Sequence, residues 1–251
     1  MTPAPDGVWP YPRWIAHRGA GKLAPENTLA AFKLGARHGY RMFECDVKLS
    51  RDGVPFLLHD DTLDRTTNGH GLAGAQTWQA LQKLDAGSWH SSAYSGEPVA
   101  SLDVMAAYCI AHDFDLNIEI KPTPGTDALT GKVAAQHAAR LWQNAGRKPL
   151  LTSFKPDALE AARDAAPHLP RGLLLHDLWT GWLETALMLG CVAVVCNHQL
   201  WDTSTVMQAK SAGFKLLSYT VNDAHGAQRL LDLGTDGIIT DSVDVINPAS
   251  P

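Results

Sequence analysis

The sequence predicts a single (β/α)8 barrel spanning residues 1–251, with a small insertion after its second strand. Strand-like and helix-like segments alternate from end to end, the order that a parallel sheet with crossover helices requires. Eight short apolar runs read as strands, at 14–17, 41–47, 116–121, 150–153, 172–175, 192–196, 215–221 and 237–240, and eight suffice to close a barrel. Charged residues collect at the ends of the first three runs, where a barrel builds its active face.

The helices between the runs carry start and stop signals of their own. Thr28 opens the apolar-periodic stretch 29–35, Thr126-Asp127 precedes 128–142, and Pro156 stands where a first helical turn tolerates proline. Gly146, Gly190, Gly213 and Gly234 each follow a helical pattern, as helix-ending glycines do. The rhythm breaks between His59 and Ser101, in a Gly- and Ser-rich stretch with only a short helical pattern at 77–84. A loop this long in a compact domain is usually functional or disordered. The segment at about 61–100 therefore reads as a cap over the active face, with a decorative insertion as the alternative.

Composition narrows the function classes. Hydrophobic residues make up 45% and charged residues 19% of the chain, so a large core is available. The net charge is −5, with no block of Lys and Arg, which argues against nucleic acid as a partner. The Pro-rich stretch 1–11 lacks the basic and apolar regions of a signal peptide. No run of about 18 apolar residues is present. These features lead to the expectation of a cytoplasmic protein without stable membrane association. Cys45, Cys109, Cys191 and Cys196 form no Cys-x-x-Cys and read as buried free thiols.

Asp52-Gly53 separates two extended runs, 41–49 and 54–59, and is a strong hairpin signal. A two-residue turn there would set Lys48 opposite Leu57 and Asp46 opposite His59. Glu44, Asp46 and Lys48 would then share a face with Leu57 and His59, and the other face would be wholly apolar. A three-residue turn would slip the pairing by one, mix the faces and move His59 off the acidic one.

The polar strand ends collect His17, Arg18, Glu44, Asp46, Glu119 and Lys121. Three inward carboxylates, Glu44, Asp46 and Glu119, would repel one another unless a divalent cation joined them, and all-oxygen donors favour Mg²⁺, Ca²⁺ or Mn²⁺ over zinc. Neutralisation by Arg18 and Lys121 without a metal is the alternative. His17 and His59 reach the same carboxylates by independent arguments and suit a general acid and base, although either could instead ligate the metal. Arg18 can grip a phosphate oxygen and Lys121 can neutralise charge growing on it, so the set points to phosphoryl chemistry. Ser153-Phe154, His176-Asp177, Asn197-His198, Tyr219, Asn222 and Asp241 are weaker strand-end candidates, and Asn27 with Thr28 reads as a helix entry.

His17-Arg18-Gly19, Pro25-Glu26-Asn27-Thr28, Glu44-Cys45-Asp46-Val47, Asp52-Gly53-Val54-Pro55, His59-Asp60, Leu63-Asp64-Arg65-Thr66-Thr67-Asn68-Gly69 and Glu119-Ile120-Lys121 together resemble the glycerophosphodiester phosphodiesterase family. More generic likeness continues through Tyr219-Thr220-Val221-Asn222 and 236–241, with Tyr219 where the family often has tryptophan. The resemblance implies a TIM barrel in which His17 and His59 are the acid/base pair. It also implies that Glu44, Asp46 and Glu119 hold Ca²⁺ or Mg²⁺ while Arg18 and Lys121 contact phosphate. The implied substrate is a small glycerophosphodiester, cleaved to sn-glycerol 3-phosphate and an alcohol. A related phospholipase C- or D-like barrel acting on intact lipids and a non-catalytic phosphodiester-binding barrel are the competing readings.

Overall fold

The computed structural model describes residues 9–249, so most of the Pro-rich stretch 1–11 lies outside the described residues. Its strands are β1 (Trp14–Ala16), β2 (Met42–Leu49), β3 (Pro55–Leu57), β4 (Asp115–Ile120), β5 (Leu150–Ser153), β6 (Arg171–Leu175), β7 (Ala193–Asn197), β8 (Lys215–Tyr219) and β9 (Gly237–Thr240). All but β3 pair in parallel, in the order β1-β9-β8-β7-β6-β5-β4-β2, and β1 pairs with β2 to close the ring. The expected (β/α)8 barrel is therefore what forms. Its helices are α1 (Leu29–Arg37), α2 (Trp78–Leu81), α3 (Leu102–Ala111), α4 (Asp127–Leu141), α5 (Pro156–Ala165), α6 (Trp182–Met188), α7 (Thr203–Ser211) and α8 (Ala224–Asp232). None is long and apolar enough to cross a membrane.

Burial follows from the two faces of each strand. Ile15, Met42, Leu150, Leu174, Ala193, Val195, Leu217 and Ile239 fill the barrel interior together with Tyr11. Odd-numbered Phe43, Cys45 and Val47 of β2 point the other way and pack with Phe32, Met105 and Ala134 of the surrounding helices. Every residue of β2 is consequently buried, which leaves Glu44, Asp46 and Lys48 inside the fold. The four cysteines are buried free thiols.

Local signals place most helix ends. The Thr28 hydroxyl accepts from Ala31 N and caps α1, and Pro156 is the first residue of α5. Gly190, Gly213 and Gly234 take positive φ after α6, α7 and α8, whereas α4 ends at Leu141, before Gly146 is reached. Thr126 does not cap α4 through its side chain, because its hydroxyl donates to Thr123 O.

The hairpin register differs from the expected one. Val47 faces Leu57, Lys48 faces Phe56 and Leu49 faces Pro55, so the turn holds three residues, with Gly53 at φ 80°. The slip that would mix a polar and an apolar face is tolerated because β3 has no polar face. Leu57 packs with Val47 in the layer between barrel and helices. Phe56 and Leu58 join Leu63, Ala73, Leu81, Ala86 and Val99 in a separate core that the insertion brings with it. The helical pattern at 77–84 contracts to the four residues of α2.

Candidate active site

The site starts at the end of β1. His17 N still donates to Thr240 O, but Arg18 then takes φ 50° and Asn27 takes φ 61°, positions that side chains other than glycine adopt only when the surroundings hold them there. Asn27 N donates to Arg18 O at 2.9 Å, which folds the segment between them into a closed loop. A Cβ on Gly21 would overlap the Asp241 backbone, so this loop lies directly on the end of β9.

The acids come from two neighbouring strands in register. Asp46 pairs with Glu119 across β2 and β4, and Glu44 sits two residues before Asp46 on the same face. One oxygen from each of Glu44, Asp46 and Glu119 lies within 4.8 Å of the others. Arg18 N donates to Glu44 Oε2 at 3.0 Å. Asn27 Nδ2 donates to Asp46 Oδ2 at 2.8 Å, while Asn27 Oδ1 accepts from Asp46 N at 3.1 Å. Lys121 Nζ donates to Glu119 Oε1 at 3.0 Å and stands 3.5 Å from Asp46 Oδ1, and Arg18 Nε is 3.2 Å from Asp46 Oδ2.

These cations do not satisfy the acids. Buried Glu44 Oε1 and Asp46 Oδ1 have no hydrogen-bond partner. Burial and the neighbouring Asp46 charge push the Glu44 carboxyl up to about 8, and the same two causes raise Glu119. Burial would raise Asp46 too, but Arg18 and Lys121 hold it well below the usual range. Carboxylate oxygens that are buried, adjacent and unpartnered are costly unless something cationic faces them. A hard divalent ion bound by oxygen fits this donor set.

Both histidines are oriented by carboxylates. His17 Nδ1 donates to Asp241 Oδ1 at 2.6 Å, and His59 Nδ1 donates to Asp60 Oδ1 at 2.7 Å. Since a carboxylate can only accept, Nδ1 carries the proton in each ring and Nε2 is left for chemistry. His17 Nε2 lies 3.8 Å from Glu44 Oε2. Burial works against the charged form of His17, but the Asp241 hydrogen bond and the Glu44 charge outweigh it and raise the pKa. For His59, burial lowers the pKa, and Arg18 and Lys121 add to that against the opposing Asp46 charge.

An ion-pair chain supports this arrangement from behind. Arg18 Nη1 donates to Glu26 Oε1 at 2.9 Å, and Glu26 accepts from Arg65 Nη1 and Nη2, both at 2.8 Å. Arg65 also donates to Asp60 through Nε at 2.7 Å and Nη2 at 2.9 Å. One guanidinium of the insertion thus ties the partner of His59 to the partner of Arg18.

All seven site residues expected from the sequence meet at this end of the barrel, His59 included. After β3 the chain leaves the ladder at Leu58, whose N donates to Asp46 O, and His59 lines a cavity of about 250 Å³ with His17, Arg18, Glu44, Glu119 and Lys121. Tyr219 lines it too. Asp241 was only a weak strand-end candidate, yet it holds His17, and Asn222 Nδ2 donates to its other oxygen at 3.1 Å. Asn27 stands at the helix entry, directly before the Thr28 cap, and also clamps Asp46. Ser153 lines the neighbouring cavity while its Oγ donates to Ile120 O, whereas Asn197 Oδ1 accepts from Gln199 N and serves the backbone.

Comparison with known proteins agrees with this geometry. Residues 17–245 match the glycerophosphoryl diester phosphodiesterase family model. A glycerophosphodiester phosphodiesterase of Caldanaerobacter subterraneus is 34% identical over 239 residues, covering 92% of this chain and 95% of its own. An Oleispira antarctica phosphodiesterase, solved with its product sn-glycerol-3-phosphate, superposes with a TM-score of 0.86 at 33% identity, covering 92% of this chain and 94% of its own. An Agrobacterium tumefaciens glycerophosphodiester phosphodiesterase gives a TM-score of 0.78 at 26% identity, over 93% of this chain and 97% of its own. With the family model matched over nearly the whole chain and the fold shared, this chain belongs to the glycerophosphoryl diester phosphodiesterase family of phosphoric diester hydrolases.

Proposed function

We propose that this chain hydrolyses small glycerophosphodiesters, such as glycerophosphoethanolamine and glycerophosphocholine, to sn-glycerol 3-phosphate and the free alcohol. The observation that carries the reading is the set of unpartnered buried carboxylate oxygens on Glu44 and Asp46, flanked by two histidines whose Nδ1 atoms are already committed to carboxylates. Glu44, Asp46 and Glu119 would hold one divalent cation, Mg²⁺ or Ca²⁺, which would supply Lewis-acid stabilisation of charge on the phosphate. Arg18 and Lys121 bind and orient the phosphate oxygens. Of the two imidazoles, one takes the proton of the oxygen that attacks phosphorus. The other protonates the alcohol oxygen as its bond to phosphorus breaks.

Charged side chains around the site, among them Lys48, Asp61, Asp127 and Lys155, favour a water-soluble diester over the acyl chains of an intact lipid. In this reading the chain is one catalytic unit and segment 61–100 is its cap. The cap docks on the β1–α1 loop and the first turn of α1, where His90 Nε2 meets Lys22 O and Ala30 N donates to Glu97 Oε1. Turnover of glycerophosphoethanolamine, followed by release of sn-glycerol 3-phosphate, should cease on chelation and return with Mg²⁺ or Ca²⁺. Full activity in a metal-free preparation would overturn the metal assignment, and no turnover with any ion would overturn the substrate class.

A further inference from the structure

Beside the catalytic cavity lies a second one of about 570 Å³, and His59, Glu119, Lys121 and Phe154 line both. The smaller cavity reaches into the barrel, where Leu174 and Ile239 of the interior core form part of its wall and fix its size. The larger one runs outward between the insertion, the β4–α4 loop and the β5–α5 loop. Every glycerophosphodiester shares the glycerol phosphate and differs in its alcohol. The constant part suits the bounded compartment and the variable part the outer one.

The chemistry of the outer cavity selects among alcohols. A quaternary ammonium such as choline cannot donate a hydrogen bond and is recognised by the open faces of several aromatic rings. Phe154 is the only Phe, Tyr or Trp ring lining this cavity among the described residues, and it is already engaged. Lys121 Nζ sits 5.9 Å from its centroid, and Tyr219 packs edge-on to it at 5.7 Å. A cation stacked on Phe154 would also face the Lys121 ammonium.

Acceptors, by contrast, are available. Asp60 is fully used by His59 and Arg65, but Asp61 spends only Oδ1, on Lys48 Nζ at 2.7 Å. Asp127 has no ion-pair or side-chain hydrogen-bond partner among the described residues and lines the same cavity. Trp89 and Tyr94 of the cap line neither cavity, and the Trp89 indole donates to Ala86 O.

We propose that the outer cavity is the head-group compartment and that it selects alcohols bearing hydrogen-bond donors, a primary ammonium or a polyol, over quaternary ammonium, with Asp127 and Asp61 as the discriminating residues. This deepens the phosphodiesterase reading and rests on it. The test compares kcat/KM for glycerophosphoethanolamine, glycerophosphoglycerol and glycerophosphocholine with the metal-loaded full chain. The donor-bearing esters should exceed the choline ester by about tenfold or more, the range open to a site that hydrogen-bonds its ligand. Asp127→Asn and Asp61→Asn should each shrink the ethanolamine-to-choline ratio, whereas Trp89→Ala and Tyr94→Phe should leave it in place. A choline ester that is turned over as well as the others, or a ratio insensitive to both aspartates, would overturn the compartment assignment while leaving the phosphodiesterase reading standing. Turnover of none of the three would overturn that reading and the inference with it.

Discussion

His17 and His59 share a device, an imidazole whose Nδ1 is held by a neighbouring carboxylate so that only Nε2 faces the cavity. If each moves a proton, His17→Ala and His59→Ala should each lower kcat by about 100-fold or more. Ion binding should survive, because Glu44, Asp46 and Glu119 are untouched. Steady-state kinetics paired with an Mg²⁺ titration checks both halves, and loss of ion binding in either variant would make that histidine a ligand instead. The side chains that face the chemistry were legible in the sequence because each ends or follows a strand. Their holders were not. His17 and Asp241 are 224 positions apart, so no local pattern joins them, and Asn27 reads locally as part of a helix start although its amide closes on Asp46 across the barrel mouth.

The β2–β3 hairpin shows how a segment can be read correctly while its register is not. The expected pairing assumed one polar and one apolar face, and the insertion removes that distinction on β3 by packing Phe56 and Leu58 into a core of its own. That core keeps the insertion in a fixed place, which gives Arg65 a role that a loose loop could not supply. Its guanidinium bridges Asp60 and Glu26 with four hydrogen bonds and so steadies His59 and Arg18 together. Arg65 is 44% exposed, so removing it should cost at most about 1 kcal/mol of stability. Misplacement of His59 and Arg18 should cost more in turnover: Arg65→Ala should lower kcat/KM by about tenfold or more. Arg65→Lys should not restore it, since one ammonium cannot span both carboxylates, whereas added guanidinium ion should restore part. In a double-mutant cycle, Arg65→Ala and Asp60→Asn should be less than additive, and full additivity would show that Arg65 does not act through Asp60.

The eight barrel strands and their polar ends followed from alternation and periodicity, because a closed parallel barrel buries both faces of every strand and so writes each one as a short apolar run. What periodicity cannot express is the energy balance where charges sit inside that barrel. Without an ion, burial and Asp46 lift Glu44 to about 8, and Glu119 is raised as well, while Asp46 is depressed by Arg18 and Lys121. An acid whose folded pKa lies above its unfolded value binds more protons in the native state. Stability of the ion-free protein should therefore fall as pH rises from about 4.5 toward 8. The depressed Asp46 acts in the opposite sense, but its contribution is nearly complete at the foot of that window, and within it the lowered His59 and the raised His17 oppose one another. A divalent ion binds the deprotonated set, so it should displace a proton near neutrality and bind more tightly as pH rises through the same window. At free ion about 100-fold above Kd the gain is roughly 2.7 kcal/mol, or roughly 5 to 10 °C in Tm for a chain of this size. Thermal melts of chelated protein with and without Mg²⁺ should accordingly show a Tm that declines with pH in the absence of ion and a Tm increment that grows with pH in its presence. An increment that is absent, or constant across the window, would mean that Glu44 and Glu119 are not where the ion binds.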